Sequence, residues 1–134
     1  MREILFRGKC NEIGKKCGQW IEGFYAKDEG KPLIAINKDN GLNGYFVDPS
    51  TVGQYTGLTD KNGKKIFEGD IIKGNFSNYV IWADETERAF VYGKSYKGGY
   101  KNLMSDYLLK SSFPNGMEVV GNIHDNPELL EVTE

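Results

Sequence analysis

The sequence predicts a mainly β protein (β-rich α+β), and three observations support this fold class. Aromatic residues make up 13% of the chain, and 17 glycines accompany 4 prolines, a balance that favours short strands and tight turns. Asn-Gly pairs, which suit hairpin turns, occur at several positions, among them Asn40-Gly41, Asn62-Gly63 and Asn115-Gly116. Short apolar runs alternate with polar turn residues. We therefore expect small barrel-like antiparallel sheets with one or two short helices.

Apolar runs bounded by turn residues predict the strands of the first half of the chain. A first strand covers residues 2–8, and a polar connection follows over Lys9–Gly18. The next strand, Gln19–Ala26, carries apolar residues on both faces, so we expect both of its faces to be covered at least in part. Two further strands are predicted at Leu33–Ile36 and Gly44–Asp48.

The most tightly specified stretch is Thr51–Ile72. Asn62-Gly63 predicts a hairpin turn, from which Lys65–Phe67 returns, because Asn-Gly tolerates the positive φ angles of a type I′ turn. Glu68–Asp70 predicts a second tight turn, at which the Asp70 side chain accepts backbone hydrogen bonds. Leu58, Ile66, Phe67 and Ile71 are expected to point inward. The residues that specify this signature are Gly53, Tyr55, Gly57, Leu58, Asn62, Gly63, Phe67, Gly69 and Asp70.

The C-terminal half has the strand succession of a small SH3-like barrel. Strands at Asn78–Ala83 and Arg88–Tyr92 are joined by an acidic turn, and a flexible loop is predicted over Lys94–Lys101. Apolar residues at helical spacing predict a short helix over Lys101–Ser111. The last predicted elements are a strand at Met117–Ile123 and a helical turn that begins at Asn126-Pro127.

Length and composition fit one soluble domain, residues 1–134, with a conceivable boundary that divides it into sub-units 1–48 and 49–134. No apolar run is long enough for a membrane span, and the N-terminus lacks the apolar segment of a secretory signal. We therefore expect a cytoplasmic protein without membrane contact. Cys10, Cys17 and the lone histidine, His124, are too few for a structural zinc site, so no metal or cofactor is expected.

The chain shows no catalytic constellation. His124 has no accompanying nucleophile motif and is better explained as the end of a strand, so we predict no catalytic residues. One basic and aromatic segment could grip phosphates and stack bases. Its candidate nucleic-acid contacts are Lys94, Tyr96, Lys97, Tyr100 and Lys101. The net charge of −2 and the presence of only three arginines favour the alternative, a solvated loop.

The central run, Val52–Leu58 through Phe67–Asp70, resembles the signature of the YopX family of bacteriophage and prophage proteins. The start of the chain, Met1–Gly8 with Trp20–Gly23, and its end, Glu118–Leu129, resemble the same family. The resemblance covers nearly the whole chain in order. It implies a small, phage-encoded or prophage-encoded, β-rich protein of the bacterial cytoplasm. It implies no established activity, cofactor or catalytic residue.

These observations predict a phage accessory protein that acts by binding a host or phage protein. A nucleic-acid-binding module that uses Lys94–Lys101 is one alternative, and a small enzyme of unknown class is another. Small β domains with free sheet edges often pair with copies of themselves, so we also consider a homo-oligomer.

Overall fold

The computed structural model describes residues 4–12, 18–38, 41–74, 77–104 and 116–130. These residues form strands in antiparallel sheets and two short 3-10 helices, Pro49–Thr51 and Pro127–Leu130, which confirms the mainly β class. The strands are β1 Phe6–Lys9, β2 Trp20–Asp28, β3 Lys31–Lys38, β4 Gly41–Phe46, β5 Gly53–Thr59, β6 Lys65–Phe67, β7 Asp70–Lys73, β8 Asn78–Asp84, β9 Ala89–Ser95, β10 Gly98–Leu103 and β11 Glu118–Asn122.

The chain divides into two compact units, Met1–Tyr55 and Thr56–Glu134, and strand β5 runs across the boundary between them. The prediction of one domain with sub-units 1–48 and 49–134 stays a prediction. Each unit has its own buried clusters of apolar side chains, so the two are described separately.

The first unit is built on the strands β4-β3-β2-β1-β5 of a six-stranded antiparallel sheet, whose order ends with β6. Successive side chains of a strand point to opposite faces of the sheet. Ile21 of β2 and Ile34 of β3 are buried on the inner face, whereas Glu22 is exposed on the outer face. A Cβ at Gly8 would lie 2.9 Å from Val47 side-chain atoms, so β1 can approach this core only with glycine there. The buried members of the core are Cys10, Ile21, Ile34 and Val47.

The second unit contains a five-stranded antiparallel sheet in the order β10-β9-β8-β7-β11. Ile81 pairs with Tyr92 and Trp82 pairs with Val91, so successive residue pairs lie on opposite faces. Both faces are packed. Ile66, Ile72, Ile81, Tyr92 and Met117 form one cluster, and Val80, Trp82 and Val91 form the other.

Neither sheet closes into a barrel within the described ranges, and the barrel-like form predicted from the sequence is not present there. The turn at Glu68-Gly69 accounts for this. Strand β6, before it, pairs with β5, whereas β7, after it, pairs with β8 and β11. The chain therefore changes sheets at this turn and does not continue one closed meander.

The two predicted turns of the central stretch are present, but the first is longer than expected. Strands β5 and β6 are joined by five residues, Asp60–Lys64, of which Gly63 has φ +82°. The buried Asp60 carboxylate organises this connection and accepts hydrogen bonds from the Asn62 and Lys64 N–H groups, each at 2.9 Å. Its second oxygen accepts the Val119 N–H at 2.9 Å. The side chain of Asp60 therefore replaces the two-residue type I′ turn predicted from Asn62-Gly63.

The second turn is as tight as the sequence predicts. Gly69 has φ +92°, a conformation that residues with a Cβ rarely adopt, and the buried Asp70 carboxylate accepts the Phe67 N–H at 2.8 Å. Ile66, Phe67 and Ile71 are buried, and Leu58 packs against the core, as predicted.

One prediction for the C-terminal half is wrong, and a second is wrong over its described residues. Lys94–Lys101 is not a flexible loop, because it contains the end of β9, a turn at Tyr96-Lys97 and the start of β10. The predicted helix over Lys101–Ser111 begins inside β10, where pairing with β9 overrides the helical spacing of the apolar residues. Residues 105–111 of that prediction lie outside the described ranges, as do Cys17, Asn40 and Asn115.

Candidate interaction surfaces

The β9–β10 hairpin carries all five residues predicted to contact nucleic acid. Ser95 pairs with Gly98 across a turn in which Lys97 has φ +58°, and the register shifts between Gly98 and Lys101. A Cβ at Gly93 would lie 2.6 Å from the Tyr100 carbonyl oxygen. The close approach of the two strands therefore depends on a glycine in β9.

Tyr96 is fixed by contacts within the protein. Its hydroxyl donates a hydrogen bond to Glu68 Oε2 at 3.2 Å, and its ring packs edge-to-face against Trp82 with the centroids 6.1 Å apart. Burial, with the nearby Glu68 carboxylate as a second cause, raises the pKa of Tyr96 to about 12. The Lys97 ammonium lies 5.3 Å from the centroid of this ring. Tyr96 is therefore only partly available for stacking on a base.

Lys101 is also engaged within the protein. Its Nζ donates to Asp84 Oδ2 at 2.6 Å, and this hydrogen bond, helped by the Glu87 N–H, lowers the pKa of Asp84. An ammonium group paired with a carboxylate adds little net positive potential to a surface. The hairpin is therefore less basic than its sequence indicates.

Lys94 and Tyr100 remain on the open side of the hairpin. Tyr100 is 98% exposed, and both residues line a shallow concavity of about 310 Å³. Tyr79 and Asn102 contribute polar groups to the same concavity. The structure therefore brings together two of the five predicted contact residues, and the turn and the Asp84 pairing hold the other three elsewhere.

The first unit has an exposed apolar surface that the sequence predictions did not identify, the outer face of β2–β4. The strand registers pair Phe24 with Ala35 and Ala26 with Leu33, and these pairs continue onto β4. Phe24 is 59% and Leu42 66% exposed, and Ala26 is exposed as well. The apolar residues of the outer face are Phe24, Ala26, Leu33, Ala35, Leu42 and Phe46, and Gly44 and Asn37 lie on the same face opposite Ala35 and Leu42.

Charged and aromatic residues surround the outer face. On one side the Arg7 guanidinium lies 4.6 Å from the ring centroid of Trp20, and the exposed Glu22 is paired with Arg7 in the strand register. At the opposite end Asp28 pairs with Lys31 across the β2–β3 turn. An apolar centre with a polar rim is the usual composition of a protein–protein interface.

The sequence predicts that both faces of β2 are covered at least in part, and at Phe24 the cover is less than half. Apolar residues on both faces of a strand indicate burial on both faces only when a second layer covers the sheet. Here the residues around Phe24 leave more than half of its side chain exposed. Apolar residues do lie on both faces of β2, but the same sequence pattern is expected for an exposed apolar face and for a strand buried on both sides.

Neither a metal-binding cluster nor a membrane-spanning helix occurs in the described ranges. Those residues contain no group of three or more His, Cys, Asp or Glu side chains that could hold a metal ion. Cys10 is buried in the core of the first unit, and the His124 N–H donates to Asn122 Oδ1 at 3.0 Å in the turn after β11. No helix in this part of the chain has the length and apolar character needed to cross a membrane.

Comparisons with known proteins identify the family of this chain through a family model. None of the curated proteins matches the sequence significantly. A solved structure, protein EF1440 from Enterococcus faecalis, is similar with a TM-score of 0.59 and 23% identity, over 98% of this chain and 100% of that chain. At this identity the similarity shows a shared fold. The YopX protein family model matches residues 5–131. The chain therefore belongs to the YopX family.

Proposed function

We propose that this chain is a non-catalytic protein-interaction module of a phage or prophage, and that it binds a host or phage protein in the bacterial cytoplasm. The outer face of β2–β4 carries this proposal. An antiparallel sheet with one buried face normally presents polar side chains on the other. In this sheet, however, Phe24 and Leu42 are 59% and 66% exposed. Contiguous apolar surface of this kind is typical of a docking site.

The shape and chemistry of the outer face indicate what kind of partner it binds. Covering an exposed phenylalanine or leucine side chain contributes about 1.5–3 kcal/mol, so Phe24 and Leu42 are the expected anchors. Glu22, Asp28 and Lys31 supply charges of both signs at the rim. We therefore expect a partner with an apolar surface bordered by polar groups of both signs.

The test is capture of a partner from host lysate by the purified protein, followed by the same capture with Phe24→Lys. The matched control is Tyr100→Lys, which places the same charge at an aromatic residue that is 98% exposed on the other unit. We expect the wild type and the control to retain one stoichiometric protein that Phe24→Lys loses. Repeated capture of no such protein, or its retention by Phe24→Lys, would contradict the proposal.

A nucleic-acid-binding role for the β9–β10 hairpin is the second candidate. The exposed ring of Tyr100 beside Lys94 supports it, because a base could stack on the ring while the ammonium contacts a phosphate.

We further propose that the C-terminal half is SH3-like in its strand succession. The antiparallel order of strands β7 to β10 supports this description.

Fluorescence anisotropy with single-stranded and double-stranded DNA and RNA at low salt tests this second candidate. We expect binding that weakens as salt rises and that Tyr100→Ala reduces. Phe24→Ala on the other unit is the control, and its binding should equal that of the wild type. Absence of binding to every oligonucleotide at low salt would remove the candidate.

A further inference from the structure

We infer that two copies of this chain pair antiparallel through the outer edge of β4, with the two-fold axis at Asn43. The inference concerns a different surface element from the proposed function, the backbone edge of the sheet, and does not depend on that function. Strand β4 is the terminal strand of its six-stranded sheet, in the order β4-β3-β2-β1-β5-β6. Among the described residues, only the segment around Cys10 and Asn11 lies beside its outer edge, at Val47 and Phe46.

The hydrogen bonds around β4 identify the backbone groups that point outward. The Val47 N–H donates to the Pro32 carbonyl of the neighbouring segment at 3.2 Å, so Tyr45 and Asn43, at alternate positions, also face β3. The backbone groups of Phe46, Gly44 and Leu42 therefore point to the outer edge.

Phe46 is already engaged at this edge. Its N–H donates to Glu12 Oε2 at 3.2 Å, and its carbonyl accepts the Asn11 N–H at 3.1 Å. Leu42 and Gly44 are exposed residues at which two N–H and two carbonyl groups point outward. They form a short edge of four polar backbone groups.

One antiparallel register satisfies all four of these groups on both copies. If Leu42 of one copy pairs with Gly44 of the second copy, symmetry pairs Gly44 with Leu42 as well, and Asn43 faces itself across the axis. Residues that are directly opposite in paired strands point to the same face, and Leu42 and Gly44, two positions apart, both belong to the outer face. This register therefore keeps the outer faces of both copies on the same side of the joined sheet. Each Leu42 side chain then lies beside a Gly44, which has no side chain to obstruct it.

The two edge strands of the five-stranded sheet differ from β4 in a way that supports this choice. Strand β10 carries Lys101 and has a register shift between Gly98 and Lys101. Strand β11 carries Glu118 and has a register shift between Val119 and Gly121. Charges and bulges are features that prevent edge strands from pairing. Strand β4 has no charged residue, and its register with β3 is continuous.

Light scattering coupled to size-exclusion chromatography, with sedimentation at several concentrations, tests the inference on the full chain. Leu42→Pro removes one outward N–H from an edge strand, a position at which proline is tolerated. The matched control is Leu103→Pro on β10. The Met104 N–H donates to Phe90, so the neighbouring Leu103 N–H points outward, and the two leucines are 66% and 57% exposed.

We expect the wild type and Leu103→Pro to dimerise with the same dissociation constant, and we expect Leu42→Pro to weaken the dimer by about tenfold or more. A wild type that is monomeric at every concentration would overturn the inference. So would a Leu42→Pro protein that dimerises like the wild type, or equal weakening by both proline substitutions.

Amide hydrogen exchange of the wild-type protein gives a readout that does not require a folded variant. The Leu42 and Gly44 amides should become slower to exchange as protein concentration rises, while the Leu103 amide should not change. Concentration-independent exchange at Leu42 and Gly44 would overturn the inference. Phe24→Lys distinguishes the two proposals, because it should abolish capture of the protein partner and leave the dimer intact.

Discussion

At the scale of single residues, two buried carboxylates determine the course of the central stretch. Asp60 and Asp70 are 2% and 1% exposed, and each accepts backbone N–H groups of a turn. The sequence predicts a capping role for Asp70, because an aspartate beside Gly69 in a tight turn has few other uses. It does not predict the role of Asp60, because the Val119 N–H that Asp60 binds lies 59 residues away.

Replacement of Asp60 by alanine tests its structural role. Asp60→Ala leaves three backbone N–H groups without their acceptor, and we expect the free energy of unfolding to fall by about 3 kcal/mol. Urea denaturation measures the change. Asp28→Ala, at an exposed position, should stay within about 0.5 kcal/mol of the wild type. An equal effect of the two substitutions would contradict the role assigned to Asp60.

The environment of Tyr96 predicts a dependence on alkaline pH. Its pKa is raised to about 12 from the ordinary tyrosine value of 10.0, so the folded protein holds the phenolic proton more tightly than the unfolded chain does. This contribution to stability is complete below pH 10.0 and is lost as the pH rises through about 12. Glu68→Gln should lower the pKa of Tyr96, while burial keeps this pKa above the ordinary value of a tyrosine.

An NMR pH titration of the Tyr96 ring measures this pKa, and Tyr96→Phe identifies the signal by removing it. The same substitution should remove the part of the alkaline loss of stability that belongs to Tyr96. An unchanged pKa in Glu68→Gln would show that the carboxylate does not contribute.

At the scale of elements, strands with a buried face were predictable and the β9–β10 hairpin was not. Alternation or apolar runs identify β8 and β9, because their residues pack on both sides of the sheet. In contrast, β10 has little buried surface and resembles a polar loop in sequence. Its position depends on long-range partners: Tyr96 bonds Glu68 and Lys101 bonds Asp84, 28 and 17 residues away in sequence.

The close contact of β9 and β10 predicts how the hairpin responds to a small substitution. A Cβ at Gly93 would lie 2.6 Å from the Tyr100 carbonyl and 3.0 Å from the Trp82 ring, so Gly93→Ala must push the strands apart. We expect a loss of about 1–3 kcal/mol in the free energy of unfolding and faster amide exchange in β10.

Gly98→Ala is the control for the hairpin, because the nearest atoms to a Cβ at that position are 4.0 Å away. It should leave amide exchange in β10 close to that of the wild type. Equal stability of Gly93→Ala and Gly98→Ala would mean that the hairpin tolerates wider strand separation than its geometry indicates.

At the scale of the whole molecule, the family and the mainly β class follow from sequence, while the candidate surface does not. The family signature lies in turn and core residues such as Gly69 and Phe67, which local chemistry explains. Whether Phe24 is buried or exposed depends on what covers its sheet, and no local pattern encodes that. The sequence therefore predicted the elements of the outer face but not its exposure.

Exposure of the outer face predicts a measurable property of the intact protein. A double variant, Phe24→Lys with Leu42→Lys, should bind less of an apolar fluorescent dye than the wild type, because both side chains are more than half exposed. Its free energy of unfolding should stay within about 1 kcal/mol of the wild type, as expected for two surface substitutions. Unchanged dye binding would indicate that the dye reports another surface.

The bond between Asp60 and Val119 also has a consequence for synthesis on the ribosome. The first unit consists of residues 1–55, so its strands can pair soon after they emerge from the ribosome. In contrast, β7 can pair with β11, and the Asp60 carboxylate can accept the Val119 N–H, only after the C-terminal part of the chain has been synthesised. The edge of β7 therefore stays unprotected until β11 has been translated, and the loop at Asp60 stays unprotected until Val119 has been translated. A nascent chain of this protein is most exposed to misfolding during that interval.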